Sequence, residues 1–379
     1  MITRQLPIGV TTDYPYERSY DLTKMAFFDI ETTGFSADST YLYLIGCVYY
    51  KDSSYQMIQW FSEGIHDEVI LIHAFFKFLE GYKVLIHYNG NGFDIPYLQH
   101  KCNSLHLDYS FDQFQSLDLY KKLLPYKKIF KIKSFRQKSI ESFLNIHRED
   151  VFDGGDLIEV YSSYLGKKHL EDLRKIRTPD APLPKSTESD LLLYTLLLHN
   201  EDDIKGLLQI SPILYYTDLF EKPIHILMAG VEEDLLILRF EISAVLPVRI
   251  NYGNDLVHLS AYGNSATLKI HIFDGELKYF YDNYKDYYYL PAEDSVMHKS
   301  VAIYVDKDYR TKAKPSNCYT KKQGLFAPLY EMIITPCFKM NYQDKLSFLE
   351  IHTDFLLQED NLELYISHML AHLISKSNS

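Results

Sequence analysis

The chain is poor in cysteine, with only Cys47, Cys102, Cys318 and Cys337 among 379 residues. None forms a Cys-x-x-Cys pair, which argues against a zinc-ligand set or a disulfide framework. Cys47 and Cys337 lie in apolar runs, so reduced and mostly buried thiols are expected. No apolar stretch approaches the length of a membrane span, and no charged-then-apolar leader opens the chain. A soluble, cytoplasmic protein without a membrane partner is therefore expected. Positive charge is scarce too: a net charge of -12 excludes a protein that coats nucleic acid through bulk electrostatics, while leaving room for local basic patches. Internal repeats and low-complexity segments are missing.

What is present is ample core material, 46% hydrophobic residues, in a length that suits two domains. The 33 tyrosines suit stacking and interfaces, although biased codon usage would produce them as readily. After a polar start (1–20), β-type runs at Met25 to Ile30, Tyr41 to Tyr50 and Gln56 to Phe61 read as a meander. Apolar spacing predicts a helix over His66 to Leu79, and Val84 to His87 a short buried strand. A helix from Asp94 through His100 and an apolar run ending near Leu119 follow. The alternation predicts an α/β layer architecture with a mixed sheet. From Ser134 to Ile210 the pattern is helical, broken by a loop at Thr178 to Pro184, with helix-starting residues at Ser186 to Asp190. Beyond about Pro223 the texture becomes β-rich: runs at Leu235 to Leu246, Asp255 to Tyr262, Ala266 to Phe273, Glu276 to Phe280 and Val301 to Val305 precede a helical tail from Asn361 to Ser375. We expect a first domain over 21–215 and a smaller α+β, β-rich domain over 224–379.

Chemistry concentrates in three places. In Phe27-Phe28-Asp29-Ile30-Glu31-Thr32-Thr33-Gly34, a strand would put Asp29 and Glu31 on one face, where two anions beside buried phenylalanines repel unless a cation neutralises them. His87-Tyr88-Asn89-Gly90-Asn91-Gly92-Phe93-Asp94 predicts a tight turn that delivers Asp94 to a helix N-terminus. In His199-Asn200-Glu201-Asp202-Asp203, His199 and Asp203 share one helix face, and the nearby Ile204, Leu207 and Leu208 make an unpaired carboxylate there costly. Asp202 is a rival to Asp203.

In this order, the three motifs resemble the DEDD superfamily of 3′-5′ exonucleases on the ribonuclease H-like (DnaQ-like) fold. The stretch from Tyr88 to Leu98 and the His-Asn-Glu-Asp-Asp ending are most similar to its bacterial YprB-type branch. The resemblance covers roughly residues 20 to 215 and implies a mixed five-stranded sheet flanked by helices. It also implies catalytic acids Asp29, Glu31, Asp94 and Asp203, two Mg²⁺ or Mn²⁺ ions held by these oxygen ligands, and His199 as proton acceptor. Asp29 would bridge both ions, Glu31 and Asp203 hold the nucleophile side, and Asp94 hold the second ion. One departure stands out, since His199 and Asp203 have the spacing of the superfamily's tyrosine branch rather than its histidine branch. Thr32, Thr33, Gly34 and Asn89 are expected at the substrate end.

Between Tyr120 and Ser139, Lys121, Lys122, Lys127, Lys128, Lys131, Lys133, Arg136 and Lys138 occur with no acidic residue and with Tyr126, Phe130 and Phe135 interleaved. That composition suits phosphate contact and base stacking, and Lys127, Lys128, Lys131, Lys133 and Arg136 are expected to bind substrate. A second basic and tyrosine-rich cluster spans Lys299 to Lys322. The activity expected is a hydrolase removing nucleoside 5′-monophosphates from the 3′ end of single-stranded nucleic acid. DNA is favoured over RNA, with DNA repair and a helicase partner implied by the YprB-type resemblance. The alternatives are an RNA-trimming exoribonuclease and a catalytically silent nucleic-acid-binding or scaffold module.

Overall fold

The polar start of the chain contains a strand. In the computed structural model, which describes residues 1–149, 154–177 and 186–375, the first elements are β1 (Ile2–Pro7), β2 (Met25–Thr32), β3 (Leu42–Lys51) and β4 (Ser54–Phe61). They are followed by α1 (Glu68–Leu79), β5 (Val84–His87), α2 (Asp94–Ser104) and β6 (Gln115–Asp118). The sheet runs β1-β4-β3-β2-β5-β6, with β2 to β4 an antiparallel meander and β2, β5 and β6 mutually parallel. It thus has six strands where five were expected. The sixth is β1, whose alternately half-buried Ile2, Arg4 and Leu6 follow the period of a strand along the edge of β4.

The same period divides β2 between two layers. Ala26, Phe28 and Ile30, with Ile45, Cys47, Ile58 and Trp60, pack on Leu71, Ile72 and Phe75 of α1 and Leu98 of α2. Asp29 and Glu31 must then face the opposite layer. That layer is formed by α6 (Gly154–Arg177) and α7 (Glu188–Gln209), with α5 (Gln137–Phe143) against α7; α3 (Leu119–Leu123) and α4 (Lys127–Phe130) precede them in the chain. Its core joins Tyr43, Leu44 and Phe61 of the sheet to Leu157, Tyr161 and Tyr164 of α6 and Leu196 and Leu197 of α7. Helix α7 starts where Thr187 caps it: the hydroxyl accepts from Asp190 N, and the Asp190 carboxylate accepts from Thr187 N at 2.9 Å. The loop expected at Thr178 to Pro184 lies outside the described residues.

By contacts, the chain forms two compact units, Met1–Lys127 with Lys131–Tyr215, and Lys128–Phe130 with Tyr216–Ser379. The second unit is β-rich. Its long antiparallel sheet comprises β7 (Ile224–Glu232), β8 (Leu235–Gly253) and β9 (Val257–His271). The runs expected at Asp255 to Tyr262 and Ala266 to Phe273 are joined, up to His271, in the single strand β9, whose Gly263 takes a left-handed φ of +57°. A further sheet is built on the hairpin-like pairing of Phe273–Phe280 with Tyr319–Leu329. The expected strand at Val301 to Val305 is instead helix and turn: His298 caps Lys299–Ala302, and Tyr304 N and Val305 N donate to Val301 O and Ala302 O. These local bonds outweigh the β propensity of so short a run. The terminal helix spans Glu359–Ile374. Among the described residues, no helix is long and apolar enough to cross a membrane.

Candidate active site

Asp29 sits opposite Gly46 in the β2–β3 register, and the space a side chain at residue 46 would fill is taken by Asn200 of α7. Asn200 is fully buried and donates from Nδ2 to Asp29 Oδ2 at 3.3 Å. Its own Oδ1 accepts from Gln59 Nε2 at 3.0 Å, and Gln59 Oε1 accepts from Arg4 Nη1 at 3.1 Å. Arg4 also pairs with Glu201 at 2.5 Å. The orientation of Asp29 is therefore set by a chain of side chains that starts at the sheet edge. Two residues on, the register slips between Glu31 and Thr32, a bulge of the kind that ends pairing and re-aims side chains.

Asp94 reaches the same place from the parallel neighbour. Pairing of Phe27 with Ile86 brings the turn after β5 alongside the end of β2, and Asp94 Oδ1 accepts from Ile30 N, midway between the first two acids, at 3.3 Å. The turn is held from below by Asp118 at the end of β6, whose carboxylate accepts from Asn89 N at 3.0 Å and Asn91 N at 3.2 Å. Buried His87 accepts from Gly90 N at Nδ1, 3.0 Å, and burial holds its pKa down to about 4, so the ring is neutral. With Nδ1 accepting, Nε2 carries the proton and faces Ser116 Oγ at 2.8 Å. Gly90 has no alternative, since a Cβ there would lie 2.6 Å from the imidazole.

Helix α7 completes the cluster. His199 Nε2 lies 3.2 Å from Asp203 Oδ2 and 3.7 Å from Glu31 Oε1, and these three residues offer ligand atoms within 4.8 Å of one another. Asp203 Oδ1 pairs with the Arg148 guanidinium, whose Nε is 3.1 Å from Glu141 Oε2 on α5. Gln137 Nε2 donates to the Asp203 carbonyl at 2.8 Å. Asp202 points elsewhere, accepting from Glu149 N at 3.0 Å. Asp203 is the neighbour that shares a cavity with Asp29 and Glu31.

The electrostatics are those of an unbalanced anionic cluster. Burial pushes Asp29 well above the usual carboxylate range, and the nearby Asp94 and Glu31 charges push it further. Burial raises Glu31 to about 8 against the opposing pull of His199, and raises Asp94 to about 7 despite two backbone N–H donors. For Asp203, burial acts upward too, but His199 and Arg148 outweigh it and hold the carboxyl low. Glu31 Oε1 is buried without a hydrogen-bond partner. An orphaned oxygen among clustered carboxylates and one histidine suits a hard divalent cation.

Asp29, Glu31, His199 and Asp203 line an open cavity of about 610 Å³, whereas Asp94, buried against Ile30 N, is not part of its wall. Thr32 and Gly34 are on its rim, together with Phe35, which is 91% exposed, and Phe93, whose ring centroid lies 5.8 Å from that of Phe35. Of the basic segment, Arg136 lines the cavity, as does Lys138, which sequence reading did not single out for substrate. Lys127, Lys131 and Lys133 do not line it, and Lys128 belongs to the second unit. Lys127 is spent locally, over the Phe135 ring at 5.4 Å. Thr33 is turned away, its hydroxyl accepting from Tyr41 N at 2.9 Å, and Asn89 is an element of the turn rather than of the cavity wall. Sequence reading missed Asn200 and Arg148. For Asn200 a signal was available, a polar residue on the apolar stripe of Leu196, Ile204 and Leu207. Arg148 carried none.

Comparison with known proteins agrees with this architecture. None of the curated proteins matches the chain. Among solved structures, the family B DNA polymerase from Pyrobaculum calidifontis aligns with a TM-score of 0.38 and 17% identity, over 52% of this chain and 25% of the polymerase. Exonuclease I from Methylocaldum szegediense aligns with a TM-score of 0.26 and 9% identity, over 56% of this chain and 53% of the enzyme. The zinc-bound ExoI–ssDNA complex from E. coli gives 0.26 and 13%, over 56% and 54%. The chain spans a quarter of the polymerase's length and about half that of the exonucleases, and likeness this loose bears on no functional argument. The family comparison is firmer: the pattern of the RNase_H superfamily matches residues 26–215, half of the chain, from β2 to beyond α7. With all three motifs inside that match and a mixed sheet between helical layers, the chain belongs to the RNase_H superfamily.

Proposed function

We propose that the protein is a metal-dependent 3′-5′ exonuclease of the DEDD type, YprB-like, that hydrolyses the terminal phosphodiester of single-stranded nucleic acid, DNA in preference to RNA. One observation carries this reading: Asp29, Glu31, Asp94 and Asp203 converge with His199 from three separate segments, beside an open cavity rimmed by Arg136 and Lys138. An ordinary acidic surface does not bury its carboxylates together or leave an oxygen orphaned. The four acids would hold two divalent ions, Mg²⁺ or Mn²⁺, which when bound supply charge stabilisation for the attacking and leaving oxygens.

The remaining work falls to the chain's own groups. His199, once its Nε2 is free of the Asp203 carboxylate it faces, takes the proton of the attacking water, and the departing 3′ oxygen of the shortened strand is protonated from solvent, releasing a nucleoside 5′-monophosphate. Thr32 and Gly34 seat the terminal nucleotide. Phe35 and Phe93 offer ring faces to its base. Arg136 and Lys138 take the phosphates behind it. DNA repair, alongside a helicase that exposes single strands, is the setting we propose for this activity.

The test uses 5′-labelled and 3′-labelled DNA and RNA strands with Mn²⁺ or Mg²⁺. Stepwise loss of 3′ nucleotides from DNA by the wild type, and its loss in Asp29→Asn and Asp203→Asn, is expected. Faster loss from RNA would make the enzyme an exoribonuclease of the same fold. Undiminished cleavage in both variants, or none in any protein, would remove the exonuclease reading.

A further inference from the structure

Arg148 ion-pairs directly with the carboxylate cluster, and its side chain is 11% exposed. It stands between Glu141, 1% exposed, and Asp203. A structural arginine at that depth ordinarily spends its five N–H groups on fixed acceptors. Here both Nε and Nη1 are buried without a hydrogen bond, although Nε lies near Glu141. The pair is a charge contact rather than a saturated bridge. Asp203 is committed on both sides, Oδ1 to Arg148 and Oδ2 to His199, while Glu31 Oε1 across the cluster has no hydrogen-bond partner.

We propose that Arg148 is the resident counter-ion of the carboxylate cluster, and that a divalent cation binding at Asp203 displaces it. The inference rests on the metal-dependent reading above. Buried carboxylates cannot keep their charges without a neighbouring cation, and a guanidinium is a permanent one. Arg148 therefore stands at Asp203 in the place of a cation. A metal ion gains Asp203 only by giving Arg148 up. The exchange is within reach because Arg148 lies outside any helix or strand, so its withdrawal from Asp203 unmakes none. Glu141 remains beside the freed guanidinium and keeps it from being stranded as an unpaired buried charge.

The experiment is a Mn²⁺ titration of the full chain by calorimetry, with thermal melts of the same samples with and without Mn²⁺. Wild type is compared with Arg148→Met, Arg148→Lys and the ligand control Asp203→Asn. Arg148→Met is expected to bind Mn²⁺ more tightly, on the order of tenfold, as loss of a competing ion pair would give. Its metal-free melting temperature should be lower than that of wild type, and the rise on adding Mn²⁺ larger. Arg148→Lys should fall between the two and serves as the variant of record if Arg148→Met does not fold. Binding in Arg148→Met or Arg148→Lys equal to or weaker than wild type would overturn the inference and leave the metal-dependent reading standing. Absence of Mn²⁺ binding by the wild type would overturn both.

Discussion

Gly46 and Asn200 occupy each other's space: a Cβ on Gly46 would lie 2.0 Å from Asn200 Oδ1. Asn200 is fully buried and cannot swing aside, so Gly46→Ala must displace the amide that orients Asp29. Overpacking of this kind costs about 1–3 kcal/mol. We expect Gly46→Ala to lower stability by that amount and to reduce nuclease activity at least tenfold, on the order of a misplaced catalytic group. Adding Asn200→Ala should recover much of the stability but not the activity. Full additivity of the two substitutions in a denaturation cycle would mean that the clash is not what they share.

Asp118 supports Asp94 without touching the cavity. Asp118→Asn leaves at least one of the Asn89, Asn91 and Lys121 backbone donors without its carboxylate acceptor, at about 1–3 kcal/mol for an unsatisfied buried group. Weaker Mn²⁺ binding together with a lower melting temperature is the expected result. Normal Mn²⁺ affinity at reduced stability would show that the turn holds Asp94 unaided.

The metal-free protein should lose stability as pH rises. Asp94 and Glu31 ionise near pH 4 in the unfolded chain but only near 7 and 8 in the fold, so the folded state holds extra protons in between. Their stabilising contribution is complete below the unfolded values and lost by the time pH passes the folded ones. Melting temperature should fall between about pH 5 and pH 8. Glu31→Gln should flatten the fall, and Mn²⁺ should oppose it by favouring the ionised forms. Asp203, held low, acts in the opposite sense, and its contribution disappears as pH falls through its depressed folded value. A metal-free melting temperature that rises from pH 5 to 8 would contradict this account.

Arg136 and Lys138 should act on binding. Their alanine variants are expected to raise KM and leave kcat within about twofold. The log–log salt slope on single strands should shrink by about 0.7 for each phosphate that is no longer neutralised. Lys77→Ala, on α1 across the sheet, should change neither. A fall in kcat at saturating substrate would instead place one of the two at the reacting phosphate.

Much of the first unit could be read from the sequence because its elements carry strong periods. The runs at Met25 to Ile30 and Val84 to His87 are bounded by turn residues, and the alternation in β2 alone puts Asp29 and Glu31 on one face. The strand β1 escaped because Arg4, Gln5 and Pro7 make it read as a polar tail, when Arg4 in fact has buried partners 55 and 197 residues away. No local pattern encodes such pairs. The helical turn at Lys299–Ala302 fared similarly: Val301 to Val305 has strand composition, and only the capping by His298 turns it into a helical turn. The basic segment is plain in the composition, but which of its cations face the cavity depends on the path of the chain between Lys131 and Gln137, where Phe135 turns inward and Arg136 stays on the cavity wall.

The chain of contacts from Arg4 through Gln59 and Asn200 to Asp29 gives the rim of the sheet a say in how Asp29 is held, and so in the reaction proposed for it. A fusion partner, a neighbouring protein or a lesion that prises β1 from β4 would be felt three hydrogen bonds later at a carboxylate it never approaches. Activity in such a protein would fade while most of the core stayed folded, so a nuclease assay would register damage to the first strand before a melting curve did.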